Sequence, residues 1–289
     1  MPVHDDLGLR MKDYENKAKM TLKKKVPVAI RIDGKAFHTF TRGFKKPFDT
    51  ILIHSMQETM KYLCENIQGC VFGYTQSDEI TLILIDYQNE NSQGWFDYKV
   101  QKMCSIAASM ATIAFNKFFS ENAGKFYRSI WDEAVEDWSI DTTEEDIEYC
   151  ATLSLAARKG AMFDARCFSI PKDEVANLIY WRQLDAIRNS VQMVGQANFS
   201  HKELHSKTCN DIRGMLMSQK DIDWSKLPIH QQRGSCCIKR LLQNGNVEIK
   251  DGVYTRLKWV IDTEIPLFKD NGREYIEKTI YVGEENCDE

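Results

Sequence analysis

The chain has 289 residues, 43% of them hydrophobic, and a formal net charge of -4 at pH 7, enough apolar content to build a core in one large or two small domains and unlike a disordered composition. No stretch of about 18 residues lacks charge, the nearest being Met103 to Phe119 with its interleaved Ser, Thr, Asn and Lys, which excludes a membrane span. The first residues carry Asp5, Asp6, Asp13 and Glu15 without the apolar centre of a secretory signal, so a cytoplasmic protein is expected, and nine cysteines without a C-x-x-C pair exclude a disulfide framework and a zinc knuckle.

Residues 1–50 hold twelve Lys or Arg against six Asp or Glu, a local excess that suits a polyanion. Lys23 to Lys25 read either as a solvated entry to the first strand or as an RNA contact. Val26 to Asp33 alternates and then meets Gly34, a strand ending in a sharp turn. From Asp49, placed as an N-cap, apolar residues recur at helical spacing to Ile67. Cys70 to Thr75 and Ile80 to Asp86 form a hairpin whose connection carries Ser77, Asp78 and Glu79. Val100 to Phe119 is a helix whose Ala107, Ala111 and Ala114 allow close approach to a sheet. Residues 131–148 hold nine acids and no base, read as cation-seeking or solvated surface. Ala161 to Ile170 is a strand closed by Pro171.

Beyond it, Val175 to Val194 and Lys202 to Met217 are helices, Trp224 to Ile229 is a loop, and Cys236 to Leu242, Val247 to Lys250 and Tyr254 to Asp262 are strands. Residues 1–240 are expected to form one domain with helical insertions, and 241–289 a β-rich extension of it. The order strand, helix, strand, strand, helix, strand is that of the ferredoxin-like (βαββαβ) unit, an α+β fold. Its first and third strands are antiparallel neighbours, so Asp33 and Asp78 are expected to meet at one rim. Two such carboxylates suit a pair of cations in phosphoryl transfer.

The strongest local signal is R-I-D-G-K-A-F-H, Arg31 to His38, combined with Y-T-Q-S-D-E, Tyr74 to Glu79. A strand-end Asp before glycine offers a carboxylate and an accessible carbonyl to magnesium. The turn of Gly34, Lys35, Ala36 and Phe37 would aim backbone amides at a triphosphate. With F-K-K-P-F-D, F-D-A-R, Y-W-R-Q-L-D and R-G-S-C-C-I-K, these blocks resemble, in order and spacing, the histidine-tRNA guanylyltransferase family over roughly residues 5–240.

That resemblance implies a polymerase palm with helical and C-terminal β additions, a nucleotidyltransferase that extends tRNA in the 3′-to-5′ direction. It implies two Mg²⁺ ions held by Asp33, the Gly34 carbonyl and Asp78, with Glu79 as a further essential carboxylate. Lys46 and Ser77 match positions serving 5′-end activation, and His38 and Asp49 match residues lining the nucleotide base. ATP, GTP and other NTPs are the implied small substrates, and a homo-oligomer, dimer or tetramer, the implied assembly. After Trp181 to Ala186, the stretch Ile187 to Met193 keeps only Asn189 of the H-I-N-N-L-Y-N found in members that add G to histidine tRNA. The pattern is closer to the guanylyltransferase-like proteins of bacteria and archaea, implying template-directed repair of 5′-truncated tRNA.

Other readings compete. A nucleotide cyclase of palm fold shares the carboxylates but uses no RNA. A non-catalytic RNA-binding module of RRM type needs an aromatic pattern that the chain lacks. His201 and His205 in H-K-E-L-H lack the H-E-x-x-H order and read as surface helix. Tyr180, Trp181 and Arg182 read either as a stacking or RNA-binding group or, more commonly for an aromatic pair on a helix, as core, and Arg158, Lys159, Arg166, Arg188 and Arg233 as candidate phosphate contacts.

Overall fold

A computed structural model describes residues 6–136, 143–241 and 257–281. In chain order the elements are α1 (Asp6–Lys17), β1 (Val28–Gly34), α2 (Phe37–Phe40), α3 (Thr50–Asn66), β2 (Cys70–Gln76), β3 (Glu79–Leu84), α4 (Val100–Glu136), α5 (Glu144–Lys159), β4 (Phe163–Ser169), α6 (Lys172–Asn198), α7 (His201–Leu204), α8 (Cys209–Lys220), α9 (Ile229–Arg233), β5 (Ser235–Leu241), β6 (Leu257–Asp262) and α10 (Glu274–Ile280).

The strands form one antiparallel sheet in the order β4-β1-β3-β2-β5-β6. Its first four members have the ferredoxin-like arrangement that the element order implies, and β5 and β6 extend the sheet beyond β2. Strand side chains alternate between faces. Val28, Ile30 and Ile32 of β1 and Ile80, Leu82 and Leu84 of β3 therefore share one face, where they meet Met56, Met60 and Leu63 of α3 and Met103, Ala107 and Phe115 of α4. Ala29 and Ile83 lie on the other, with Val175, Ala176 and Ile179 of α6 and Ile276 and Ile280 of α10. This second cover lies over the centre of the face that an RRM leaves open to stack bases, while Asp164 and Arg166 of β4 stay exposed.

Several element boundaries differ from the sequence expectation for identifiable reasons. Helix α4 runs on past Phe119 because Ala123 and Phe126 continue its apolar face against α5, where the Phe126 and Tyr149 rings meet edge to face at 5.2 Å. Glu144, Glu145 and Glu148 are exposed, as the solvated reading expects; Thr143 caps α5, and Glu144, Glu145 and Asp146 occupy its first turn, where the helix dipole favours anions. The single helix expected from Lys202 to Met217 is two, since Ser206 takes φ 60° and Thr208 opens α8 in a capping box with Asp211. His205 falls outside α7, and both histidines are exposed. The expected loop at Trp224 to Ile229 holds a short 3-10 turn and the start of α9. The strand expected at Val247 to Lys250 and the first residues of the one from Tyr254 lie outside the described residues. Among the described residues no helix is long and apolar enough to cross a membrane.

Candidate active site

Strand β1 ends beside the β2–β3 turn. Asp33 pairs in register with Glu79 of β3 on one side and with Asp164 of β4 on the other. The Gly34 amide donates to the Asp78 carbonyl at 3.1 Å, so the hairpin tip is tied to the end of β1, and Asp33 and Asp78 share one rim as the topology implies. Ser77 takes φ 50° in the turn, and its hydroxyl donates to Asp78 Oδ1 at 2.9 Å. Burial pushes the Asp78 carboxyl up, the Ser77 bond opposes this, and the negative charge of Asp33 adds to it.

This pair fits a divalent cation. Neither carboxylate has a Lys or Arg within ion-pair distance among the described residues. Among the same residues no group of three or more His, Cys, Asp or Glu side chains forms a metal cage. Two carboxylates and a neighbouring main-chain carbonyl, with the remaining positions left for substrate oxygens and water, match the way magnesium is held at phosphate sites.

A cleft of about 500 Å³ opens at this rim, and Gly34, Ala36, Phe37, His38, Lys46, Asp49, Ser77 and Asp78 all line it. Asp33, Lys35 and Glu79 lie outside that wall. A narrower extension of about 80 Å³ begins at Asp49, Leu52, Ser77 and Met193 and reaches Ser190 of α6 and His230 and Gln231 of α9; neither helix was expected to contribute to a nucleotide cleft.

Closer geometry revises what several of these residues do. The turn after β1 is only partly a cradle of amides, because Gly34 N is taken by Asp78 and Lys35 N donates to the Met162 carbonyl at 2.8 Å. Phe37 is buried, its ring centroid 5.1 to 5.5 Å from those of Phe40, Phe115 and Phe163. Gly34 owes its identity to that ring, since a Cβ there would sit 2.1 Å from Phe37 Cδ2. The Asp49 carboxylate is engaged within the protein: it caps α3 through Leu52 N at 3.0 Å and accepts from Lys45 N at 3.1 Å and from the Tyr149 hydroxyl at 2.6 Å. Lys45 lies 4.6 Å from the Tyr149 ring centroid and 3.8 Å from Asp146, whereas Lys46 is exposed and makes no ion pair among the described residues.

Glu79 is buried at 9% exposure and receives Arg182 Nε at 2.7 Å. Burial raises its pKa and the Arg182 charge and hydrogen bond pull the other way. Arg182 also donates to Asp185 Oδ2 at 2.8 Å. The signal for this pair is an arginine within the buried stripe of α6, a position that a charge occupies only with a partner. Lys23, Lys24 and Lys25 are exposed, and Lys25 is tied to Asp86, its amide donating to Asp86 Oδ1 at 2.9 Å and its ammonium to the Asp86 carbonyl at 2.8 Å.

The profile of Thg1, the tRNAHis guanylyltransferase family, matches residues 8–171. The chain belongs to this family. Its structure is similar to that of a bacterial Thg1-like protein in complex with ATP, with a TM-score of 0.76 and 37% identity over 96% of this chain and 100% of the other. A bacterial Thg1-like protein in complex with GTP gives 0.72 and 35% over the same shares. A probable tRNA(His) guanylyltransferase of Dictyostelium discoideum is 25% identical over 234 residues, 76% of this chain and 78% of the relative. The family profile stops at the start of α6, but the likeness to the bacterial structures runs on through the helices that complete the cleft.

Proposed function

We propose that this protein adds nucleotides to the 5′ end of tRNA in the 3′-to-5′ direction, repairing 5′-truncated acceptor stems under template control. One observation carries the reading: Asp33 and Asp78 meet on one rim, with no ion pair to a Lys or Arg among the described residues, beside a cleft walled by His38, Lys46 and Ser77. The bacterial Thg1-like proteins that resemble this chain are complexes with ATP and GTP, which supports both as substrates.

A 5′-monophosphate lacks a good leaving group, so the RNA end is first adenylylated by ATP unless it already carries a triphosphate. The 3′-hydroxyl of the incoming nucleotide then attacks the α-phosphorus, and AMP or pyrophosphate departs. Asp33, the Gly34 carbonyl and Asp78 would hold two Mg²⁺ ions, which when bound neutralise leaving-group charge and acidify the attacking hydroxyl. Lys46 places an ammonium in the cleft as a counter-charge for a triphosphate. Ser77, in its left-handed turn, fixes the Asp78 carboxylate through its hydroxyl. Asp49 shapes the cleft by fixing the start of α3 and the Lys45 segment, leaving His38 as the more available polar contact for a base. Glu79 acts from beneath, its charge balanced by Arg182, and base choice follows from pairing with the opposite acceptor strand.

Purified protein incubated with Mg²⁺, ATP, labelled NTPs and a tRNA lacking its 5′ nucleotide should lengthen the RNA at its 5′ end, and changing the opposing template base should change the nucleotide added. Cyclic or dinucleotide products without RNA extension would refute the reading.

A further inference from the structure

Helix α6 leaves Trp181, Leu184 and Met193 exposed, and Trp181 is the largest and most exposed of them. The buried stripe runs through Val175, Ala176, Ile179, Arg182, Gln183 and Ala186. Trp181 stands off it with 54% of its surface exposed. The core aromatic pair expected from the sequence holds only for Tyr180, which packs in part against the second-face core.

Two guanidinium groups flank this indole. The Arg31 guanidinium lies over the ring at 5.9 Å from its centroid and that of Arg182 at 4.5 Å. Arg182 is committed to Glu79 and Asp185. Arg31 makes no ion pair among the described residues, and its direct cross-strand neighbour is Arg166, which is exposed and reaches Asp164 only at 3.4 Å. Like charges facing each other across a strand pair repel; Asp164 beside Arg166 and Glu79 near Arg31 offset part of that repulsion, and an anion between the two arginines would offset more.

Position gives this patch its meaning. Arg31 precedes Asp33 by two residues and so shares its face of β1, and Arg182 grips the residue opposite Asp33. None of Trp181, Arg31 and Arg166 lines the nucleotide cleft. A ligand with a flat apolar face flanked by phosphates fits them, and a duplex exposes a base face only at its end.

We propose that Trp181 is the seat on which the terminal base pair of the acceptor helix stacks, with Arg31 and Arg166 taking the adjacent phosphates, so that RNA end and nucleotide reach Asp33 and Asp78 from separate sites. This rests on the reading given under Proposed function.

The test uses an acceptor-stem RNA hairpin with 2-aminopurine in its terminal pair, and a dumbbell RNA of the same stem closed at both ends. Wild type should bind the hairpin with quenching of 2-aminopurine. Trp181→Ala should abolish the quenching and weaken binding about tenfold, the range of a base on an aromatic platform, and Trp181→Phe should recover most of both. Arg166→Met should weaken binding and lower the salt slope by about one. Unchanged hairpin affinity in Trp181→Ala, no recovery in a folded Trp181→Phe, or equal Trp181 dependence with the endless dumbbell would overturn the proposal. Trp181-dependent stacking without any nucleotide addition by wild type would sink the polymerase reading and leave this one standing.

Discussion

Glu79 stands directly across the β1–β3 pairing from Asp33, yet its carboxylate is engaged by Arg182 of α6, Nε to Oε1 at 2.7 Å. Two acidic side chains in one cross-strand row thus differ in their surroundings, Asp33 making no ion pair among the described residues and Glu79 being neutralised by a buried guanidinium.

Arg182→Met removes the cation and leaves Glu79 buried and unpaired. Loss of one partner of a buried pair costs about 3–5 kcal/mol, so the urea midpoint should drop sharply. The double variant Arg182→Met with Glu79→Gln should be more stable than Arg182→Met alone. A double variant no better than the single one would show that the pair does not act as a unit.

Asp33→Asn and Asp78→Asn should each lower nucleotide transfer by more than about a hundredfold, beyond the usual effect of losing an outer-shell partner of a metal. Thermal melts with increasing Mg²⁺ provide a second measure. Wild type should gain stability through linkage to the bound ion, and either variant should lose most of that gain while retaining a folded structure.

Gly34→Ala introduces a methyl where the Phe37 ring already lies, 2.1 Å from Cδ2. Overpacking of this kind costs about 1–3 kcal/mol. Because the displaced turn also lines the cleft, the KM for ATP should rise. A variant with unaltered melting temperature and KM would mean that the turn accommodates a side chain freely.

Asp49→Ala deletes a helix cap and strands the Tyr149 hydroxyl and Lys45 amide. A lost cap costs about 1 kcal/mol and an orphaned buried donor about 1–3, so denaturant unfolding should register a loss of about 2 kcal/mol or more. Tyr149→Phe should lose less, since the cap survives.

His230 sets a pH response of stability. Burial and the nearby charge of His54 hold its imidazole below the ordinary range, with Glu264 opposing. The folded state therefore binds this proton less readily than the unfolded chain. The contribution is intact above the ordinary histidine value of about 6.5 and is lost as pH falls toward the lowered one. Wild type should lose more melting temperature than His230→Gln between about pH 7 and pH 5.5.

The hairpin, the strand end and the Asp49 cap were legible because each rests on local signals, alternation, a glycine and a capping side chain. The meeting of Asp33 with Asp78 was legible because one topology matched the element order. What the sequence hid depends on distant partners. The extension of α4 needs α5 beneath Phe126, the duty of Glu79 needs an arginine 103 residues away, and nothing local distinguishes the exposed Trp181 from the half-buried Tyr180 next to it. The acidic run concealed the start of α5 because charge was weighed there without the dipole it complements.

The bond from Gly34 N to the Asp78 carbonyl is made by main chain alone. This backbone tie does not itself require either carboxylate, so an acid can be swapped for an amide without unfastening its neighbour. A change that removes the donor, such as Gly34→Pro, would untie the hairpin tip from the end of β1 while the β1–β3 pairing from Val28 to Asp33 remains.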